Sequence, residues 1–195
     1  MRATTTNLSR RKFIVGSAAA GSGLALGIPF PFGIGEAVAR GAPGTEINAW
    51  VVVRPDDTCV VRIARSEMGQ GTLTGLAQLV AEELECDWKK VATEHVYPGQ
   101  NLARKRVWGE MATGGSRGIR ASQDYVRRGG AAARIMLLQA AADQWKVPVG
   151  ELGVSDGVIT HAASGHKTTY NKMASTAAKL SPPDPKSIKL KNPKD

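Results

Sequence analysis

Cys59-Val60-Val61-Arg62-Ile63-Ala64-Arg65-Ser66-Glu67-Met68-Gly69-Gln70-Gly71-Thr72-Leu73 changes hydrophobic period halfway along. Cys59 to Ala64 alternates as a strand does, and Glu67 to Gly71 is a glycine-bearing connection. From Thr72 onward Leu73, Leu76, Ala77, Val80, Ala81 and Leu84 follow the i, i+3, i+4 spacing of an amphipathic helix. Glu82, Glu83 and Glu85 are expected on its solvent face, and Thr72 or Thr74 at its start. The unit is strand, loop, helix.

Working outward, Ile47 to Val53 reads as a strand paired with Cys59–Ala64 through Pro55-Asp56-Asp57-Thr58, where proline supplies the fixed φ of a turn. Val91 to Tyr97 reads as a third strand closed by Pro98-Gly99. A long alanine-rich helix is expected from Ser122 to Trp145, stopping at Val147-Pro148 because the residue before proline avoids helical angles. Val154 to Ile159 folds about Asp156-Gly157 as a strand pair, and a short helix spans Asn171 to Leu180. No repeat is present. The order ββαβαββα predicts an α/β fold, a mixed sheet with helices packed on it.

The chain ends read differently from its middle. Ser9-Arg10-Arg11-Lys12-Phe13-Ile14 sets paired arginines ahead of an apolar run to Ile28, the layout of a twin-arginine export signal. Gly16, Gly21, Gly23 and Gly27 dilute that run and Pro29 and Pro31 follow it, so it is too short and broken for a comfortable membrane span. Ala37 and Ala39 suit a signal peptidase, with a cut before Arg40, and retention as an N-terminal anchor is the alternative. The expected organisation is a signal over 1–39, a domain over 40–180 and a solvated linker over 181–195, where Lys186, Lys189, Lys191 and Lys194 lie among prolines. A periplasmic protein exported in the folded state follows.

The 195 residues carry a formal charge of +9. Arg104-Lys105-Arg106 lacks aromatic interleaving or a groove-reading motif, which argues against nucleic acid. Cys59 and Cys86 match neither a zinc nor an iron–sulfur pattern, leaving two buried thiols or, in an oxidising compartment, a disulfide.

Two loops carry candidate chemistry. Met68, Gly69, Gln70 and Gly71 precede the first helix, where flanking glycines admit a ligand to the backbone, N–H groups point out at a positive helix end, and Gln70 offers a donor and an acceptor. Thr113, Gly114, Gly115 and Ser116 repeat the pattern ahead of the long helix. The first is neither a dinucleotide fingerprint nor a P-loop and taken alone reads as a tight connection, while the second is equally readable as a structural turn.

Ser9–Phe13, Ala64–Gly71, Ala81–Leu84, Thr113–Ser116 and Arg128–Arg134, with Ala140–Ala142 and Trp145, together resemble the large molybdopterin-binding subunits of the isoquinoline 1-oxidoreductase and aldehyde dehydrogenase type, in the xanthine dehydrogenase superfamily. The resemblance runs from Ser9 to Lys194 and implies an N-terminal part of such a subunit, several times shorter than the whole. It implies that Met68–Gly71 and Thr113–Ser116 line a molybdopterin-type molybdenum cofactor, or its cytosine dinucleotide form. Arg65, Glu67 and Arg117 are weaker candidates, and Glu67 is better read as a loop-stabilising ion pair, since a carboxylate is repelled by an anionic cofactor. No residue here matches the family's general-base glutamate, so no catalytic residue and no metal ligand is assigned. The implied partners are the remaining large-subunit segment, a small [2Fe-2S] subunit and a cytochrome c subunit. The implied reaction is oxidation of aldehydes or N-heterocycles with water as oxygen source. The alternative is a truncated remnant or cofactor-binding module without activity of its own.

Overall fold

The computed structural model describes residues 43–192 and 194, so the export segment expected over 1–39 lies outside the described residues. One sheet runs in the order β1 (Thr45–Glu46), β2 (Val51–Val53), β3 (Cys59–Ile63), β4 (Val91–His95). β2 and β3 are antiparallel, with Val51 opposite Val61 and Val53 opposite Cys59, as the proline turn predicts. β4 is parallel to β3, with Cys59 opposite Val91 and Ile63 opposite His95. A parallel pair needs a crossover, and α1 (Thr72–Leu84) supplies it. The sheet is therefore mixed, and the fold is α/β with helices packed on it.

The first strand is shorter than its alternation suggests, because Asn48 bends the chain. Its Oδ1 accepts the N–H groups of Trp50 and Val51, and its Nδ2 donates to the Gly129 carbonyl at 2.9 Å. An Asn side chain that satisfies the backbone locally competes with a ladder in this way.

Two short helices, α2 (Pro98–Ala103) and α3 (Arg117–Arg120), interrupt a stretch read as loop. Pro98 starts α2 at the position where its missing N–H costs nothing. The long helix α4 (Gln123–Trp145) appears where expected and ends at Lys146, in the left-handed conformation, just before Val147-Pro148. It crosses α1 on glycines. A Cβ at Gly130 would lie 2.5 Å from the Val80 carbonyl oxygen, and one at Gly129 would lie 2.7 Å from the Trp50 ring. The core forms between these helices and the sheet, from Val51, Val61, Ile63, Leu76, Val80 and Leu137 among others.

A second sheet is an antiparallel meander of β5 (Leu152–Ser155), β6 (Val158–His161) and β7 (His166–Thr169). The Asp156-Gly157 turn joins the first two with both residues at positive φ, as a two-residue hairpin demands. β7 was not predicted, since His166-Lys167-Thr168-Thr169 has no apolar alternation. The last helix, α5 (Tyr170–Ala177), begins at Tyr170, whose buried hydroxyl donates to the Leu84 carbonyl at 2.5 Å.

Two expectations are corrected. Glu82, Glu83 and Glu85 are not free solvated charges. Glu83 is fully buried against Arg127 at 2.6 Å, Glu85 pairs with Arg134, and Lys191 Nζ lies 3.1 Å from Glu82 and 3.2 Å from Glu85. The segment expected as a solvated linker instead docks on α4. Ile188 is buried against Ala131 and Ala132, Arg128 donates to the carbonyls of Pro185 and Ile188, and the Lys191 N–H donates to Glu83. Sequence reading missed this because one isoleucine among lysines and prolines carries no period.

Candidate functional site

The Glu67–Gly71 loop joins β3 to α1. Gly69 and Gly71 have φ of 93° and 77°, a region closed to most side chains, and Gly71 caps the helix. The N–H groups expected to face a ligand are turned inward. Glu67 Oε1 accepts from Gly69 at 2.7 Å and from Gly71 at 3.0 Å, while Oε2 accepts from Leu73 at 2.9 Å. The Leu73 bond first, then that of Gly71, holds the Glu67 carboxyl below the usual range. Glu67 therefore stabilises the loop through the backbone and not through an ion pair. Gln70 is likewise engaged within the loop. Its Oε1 accepts from Met68 N–H, and its Nε2 donates to the Ser66 carbonyl and to Thr72 Oγ1. What the loop leaves outward is Met68, 69% exposed, and open space above Gly69 and Gly71, where a Cβ would meet no atom within 4 Å.

The second loop is built differently. Gly115 and Ser116 both take positive φ, 58° and 54°, immediately before α3. Among the described residues the N–H groups of Gly114, Gly115 and Ser116 have no hydrogen-bond partner, and a Cβ on either glycine would meet nothing within 4 Å. Arg117 and Arg120 flank the loop, Arg117 in a loose pair with Glu110 at 3.6 Å. Unpaired backbone donors in a turn with guanidinium groups nearby have the chemistry that suits an anion.

The structure brings the two loops together. Thr113 Oγ1 accepts the Ser66 N–H at 2.9 Å, and Thr72 packs on Gly118, where a Cβ would come within 2.8 Å of the threonine hydroxyl. Between them lies Arg65, 3% exposed. Its Nε donates to Ser122 Oγ at 2.9 Å, and its Nη1 donates to the Ala112 carbonyl. Ser122 Oγ also accepts the Tyr125 hydroxyl proton at 2.6 Å. Among the ion pairs of the described residues none involves Arg65. Its hydrogen-bond partners among the described residues are neutral, and burying a guanidinium without a counter-charge is costly.

A cavity of about 320 Å³ opens beside it, beyond the carboxyl ends of the parallel strands β3 and β4, lined by Arg65, Glu67, His95, Tyr97 and Met111. The crevice outside the ends of parallel strands is where open α/β sheets bind ligands. Sequence reading did not single out His95, Tyr97 or Ser122, which reach this junction only through the parallel pairing of β4 and the start of α4. Among the described residues no group of three or more His, Cys, Asp or Glu is placed to hold a metal ion.

Similarity to known proteins converges on one family. The chain is 34% identical over 179 residues to isoquinoline 1-oxidoreductase subunit beta of Brevundimonas diminuta, matching 88% of this chain and 22% of that protein. It is 35% identical over 146 residues to a membrane-bound aldehyde dehydrogenase [pyrroloquinoline-quinone] of Gluconacetobacter polyoxogenes, matching 72% of this chain and 18% of that protein. The chain thus spans about a fifth of the length of these relatives. A reconstituted CO dehydrogenase from Oligotropha carboxidovorans superposes with a TM-score of 0.47 at 21% identity, over 64% of this chain and 15% of that one. The model of the molybdopterin cofactor-binding domain matches residues 5–192, and the chain belongs to that family.

Proposed function

We propose that this chain contributes the paired loops Met68–Gly71 and Thr113–Ser116 to the binding of a molybdopterin-type cofactor in an exported molybdenum hydroxylase that oxidises aldehydes or N-heterocycles. The observation that carries the reading is Arg65, a buried guanidinium without a carboxylate at the junction of both loops. The residues present fit the group. The free N–H groups of Gly114, Gly115 and Ser116 suit the phosphate of the cofactor or of its cytosine dinucleotide form, and the space above Gly69 and Gly71 admits a flat ring.

The roles of the two loops then differ. Gly114 to Ser116 hold the anionic end through the backbone, assisted by Arg117. Gly69 and Gly71 supply shape, with the Met68 thioether free to pack on a ring face. Glu67 keeps its loop rigid by accepting three backbone donors, which prepares the surface before any ligand arrives. Arg65 fixes the spacing of the loops and supplies positive charge. When bound, the molybdenum group supplies the redox chemistry that delivers a water-derived oxygen to an electron-poor carbon.

The general base, the metal-end contacts and the substrate pocket belong to the remaining large-subunit segment. A small [2Fe-2S] subunit and a cytochrome c subunit carry the electrons away. The twin-arginine pattern at Arg10-Arg11 supports a periplasmic location for the assembly. One relative is named for pyrroloquinoline quinone, whereas the domain family is named for molybdopterin and matches nearly the whole chain. Metal, pterin and quinone analysis of the protein purified from its native source with its accompanying chains decides between them. Molybdenum and pterin without quinone is the expected result, and quinone without molybdenum overturns the proposal.

A further inference from the structure

Cys59 is the first residue of β3, fully buried between Val53 and Val91 on the neighbouring strands. Cys86 follows the left-handed cap of α1 and is fixed there by its N–H bond to the Ala81 carbonyl. Cys59 lies in a strand and Cys86 in the short link that follows α1, and the fold brings the two side by side. They line one small cavity beside Tyr170 and Gly157. Both are free thiols, and their exposure differs. Cys86 is half-buried and opens onto a surface groove of about 600 Å³ bordered by Glu82, Trp88 and Asp156, while Cys59 lies behind it.

We propose that Cys59 and Cys86 are a redox-active dithiol that closes to an intrachain disulfide, with Cys86 as the attacking thiol and Cys59 as the resolving thiol. Cys86 is the more exposed of the two, and the neighbouring Cys59 thiol favours the Cys86 thiolate and holds its pKa below the ordinary value. The neighbouring Cys86, then burial, pushes the Cys59 thiol upward and keeps it protonated. The oxidant is a disulfide, either a small-molecule disulfide or the oxidised dithiol of another protein. The Cys86 thiolate attacks one oxidant sulfur, forming a mixed disulfide and releasing the other sulfur as a thiolate. Cys59 then gives up its proton, attacks Cys86 Sγ, and expels the second oxidant sulfur as a thiolate. Two protein thiols are oxidised, one external disulfide is reduced to two thiols, and two protons are taken up by the departing groups. The bond ties the start of β3 to the end of α1, and so encloses the strand, the Glu67–Gly71 loop and the helix in one covalent ring.

The test is intact mass after oxidised glutathione is added to the folded full chain, followed by acid quenching, unfolding and alkylation. The wild-type chain is expected to lose two hydrogen atoms, to take no alkyl group and to recover both thiols on reduction. Cys59→Ser should instead retain one glutathione on Cys86, and Cys86→Ser should remain unmodified at Cys59 while folded. A wild-type chain that alkylates at both cysteines, stalls as a glutathione adduct or forms disulfide-linked dimers overturns the proposal. The wild-type result decides it even if a variant fails to fold.

Discussion

Glu67 and Leu73, six residues apart across a loop and a helix start, are joined by a hydrogen bond of 2.9 Å from the Leu73 N–H to Glu67 Oε2. The carboxylate thereby occupies donors that an incoming anion would otherwise claim. This bond leads the causes that lower the Glu67 pKa from its ordinary value of 4.5. A depressed carboxyl contributes stability that is complete above the unfolded value and is lost as pH falls through the folded one. The Leu73 amide resonance should therefore titrate with a midpoint below 4.5, and in Glu67→Gln that transition should vanish. A midpoint at or above the ordinary value would show that the carboxylate is not held by the loop.

Gly114 and Gly130 separate a glycine kept for a ligand from one kept for packing. Alanine at Gly114 meets no neighbour and needs no unusual φ, so unfolding free energy should change by no more than about 0.5 kcal/mol. Cofactor retention by the assembled enzyme should nevertheless fall, because the methyl group fills the space beside the free N–H donors. Gly130→Ala acts oppositely. Its Cβ would lie 2.5 Å from the Val80 carbonyl oxygen, a backbone atom that cannot swing aside. Overpacking of about 1–3 kcal/mol exceeds the roughly 1 kcal/mol of helix propensity gained, so chemical denaturation should show net destabilisation. Equal stability of the two variants would remove the distinction.

The sequence revealed elements whose period is their own and concealed what depends on a neighbour. α1 and α4 were legible because each buries a stripe spaced for a helix. The β2–β3 hairpin was legible because a proline turn separates two β-branched runs. β7 was hidden, since a polar strand forms only where β6 offers it a ladder. Glu83 was misread because α4 places Arg127 over the end of α1, and no spacing within α1 announces that partner. In the same way both candidate loops could be located, but not the commitment of the first loop's donors to Glu67, nor the isolation of Arg65.

Removing Arg127 should cost more than removing the whole pair. Arg127→Ala leaves the fully buried Glu83 carboxylate with only the Lys191 N–H, a loss of about 3 kcal/mol, the lower end of the range for breaking a buried pair because Arg127 keeps some exposure. The double variant Arg127→Leu with Glu83→Leu retains apolar volume without an unpaired charge and should recover most of that loss. Urea midpoints of the single and double variants measure it. A double variant no more stable than Arg127→Ala would mean that the ion pair itself, and not the stranded charge, carries the energy.

Replacing Arg10 and Arg11 with lysines should hold the protein in the cytoplasm with its first 39 residues intact, leaving the fold of the remainder unchanged. Fractionation and the N-terminal sequence of the accumulated chain report it. Normal export of the double variant would end the twin-arginine reading.

Arg65 provides the sharpest separation of a structural role from a binding one. As a brace it needs only its bonds to Ser122 Oγ and the Ala112 carbonyl, and Arg65→Met would then lower stability equally with and without an anion. As the missing half of a charge pair it also makes the chain respond to anions. Pyrophosphate at about a hundredfold over its Kd would add ~2.7 kcal/mol to a state that binds it, enough for a clear rise in Tm. We expect that rise in the wild-type chain, a smaller one in Arg65→Lys, which keeps the charge but loses the planar fork, and none in Arg65→Met. Sodium sulfate at matched ionic strength controls for the general effect of salt on burial. An equal rise in Tm for the wild type and Arg65→Met would make Arg65 a brace alone and would remove the main support for an anionic cofactor at the junction of the two loops.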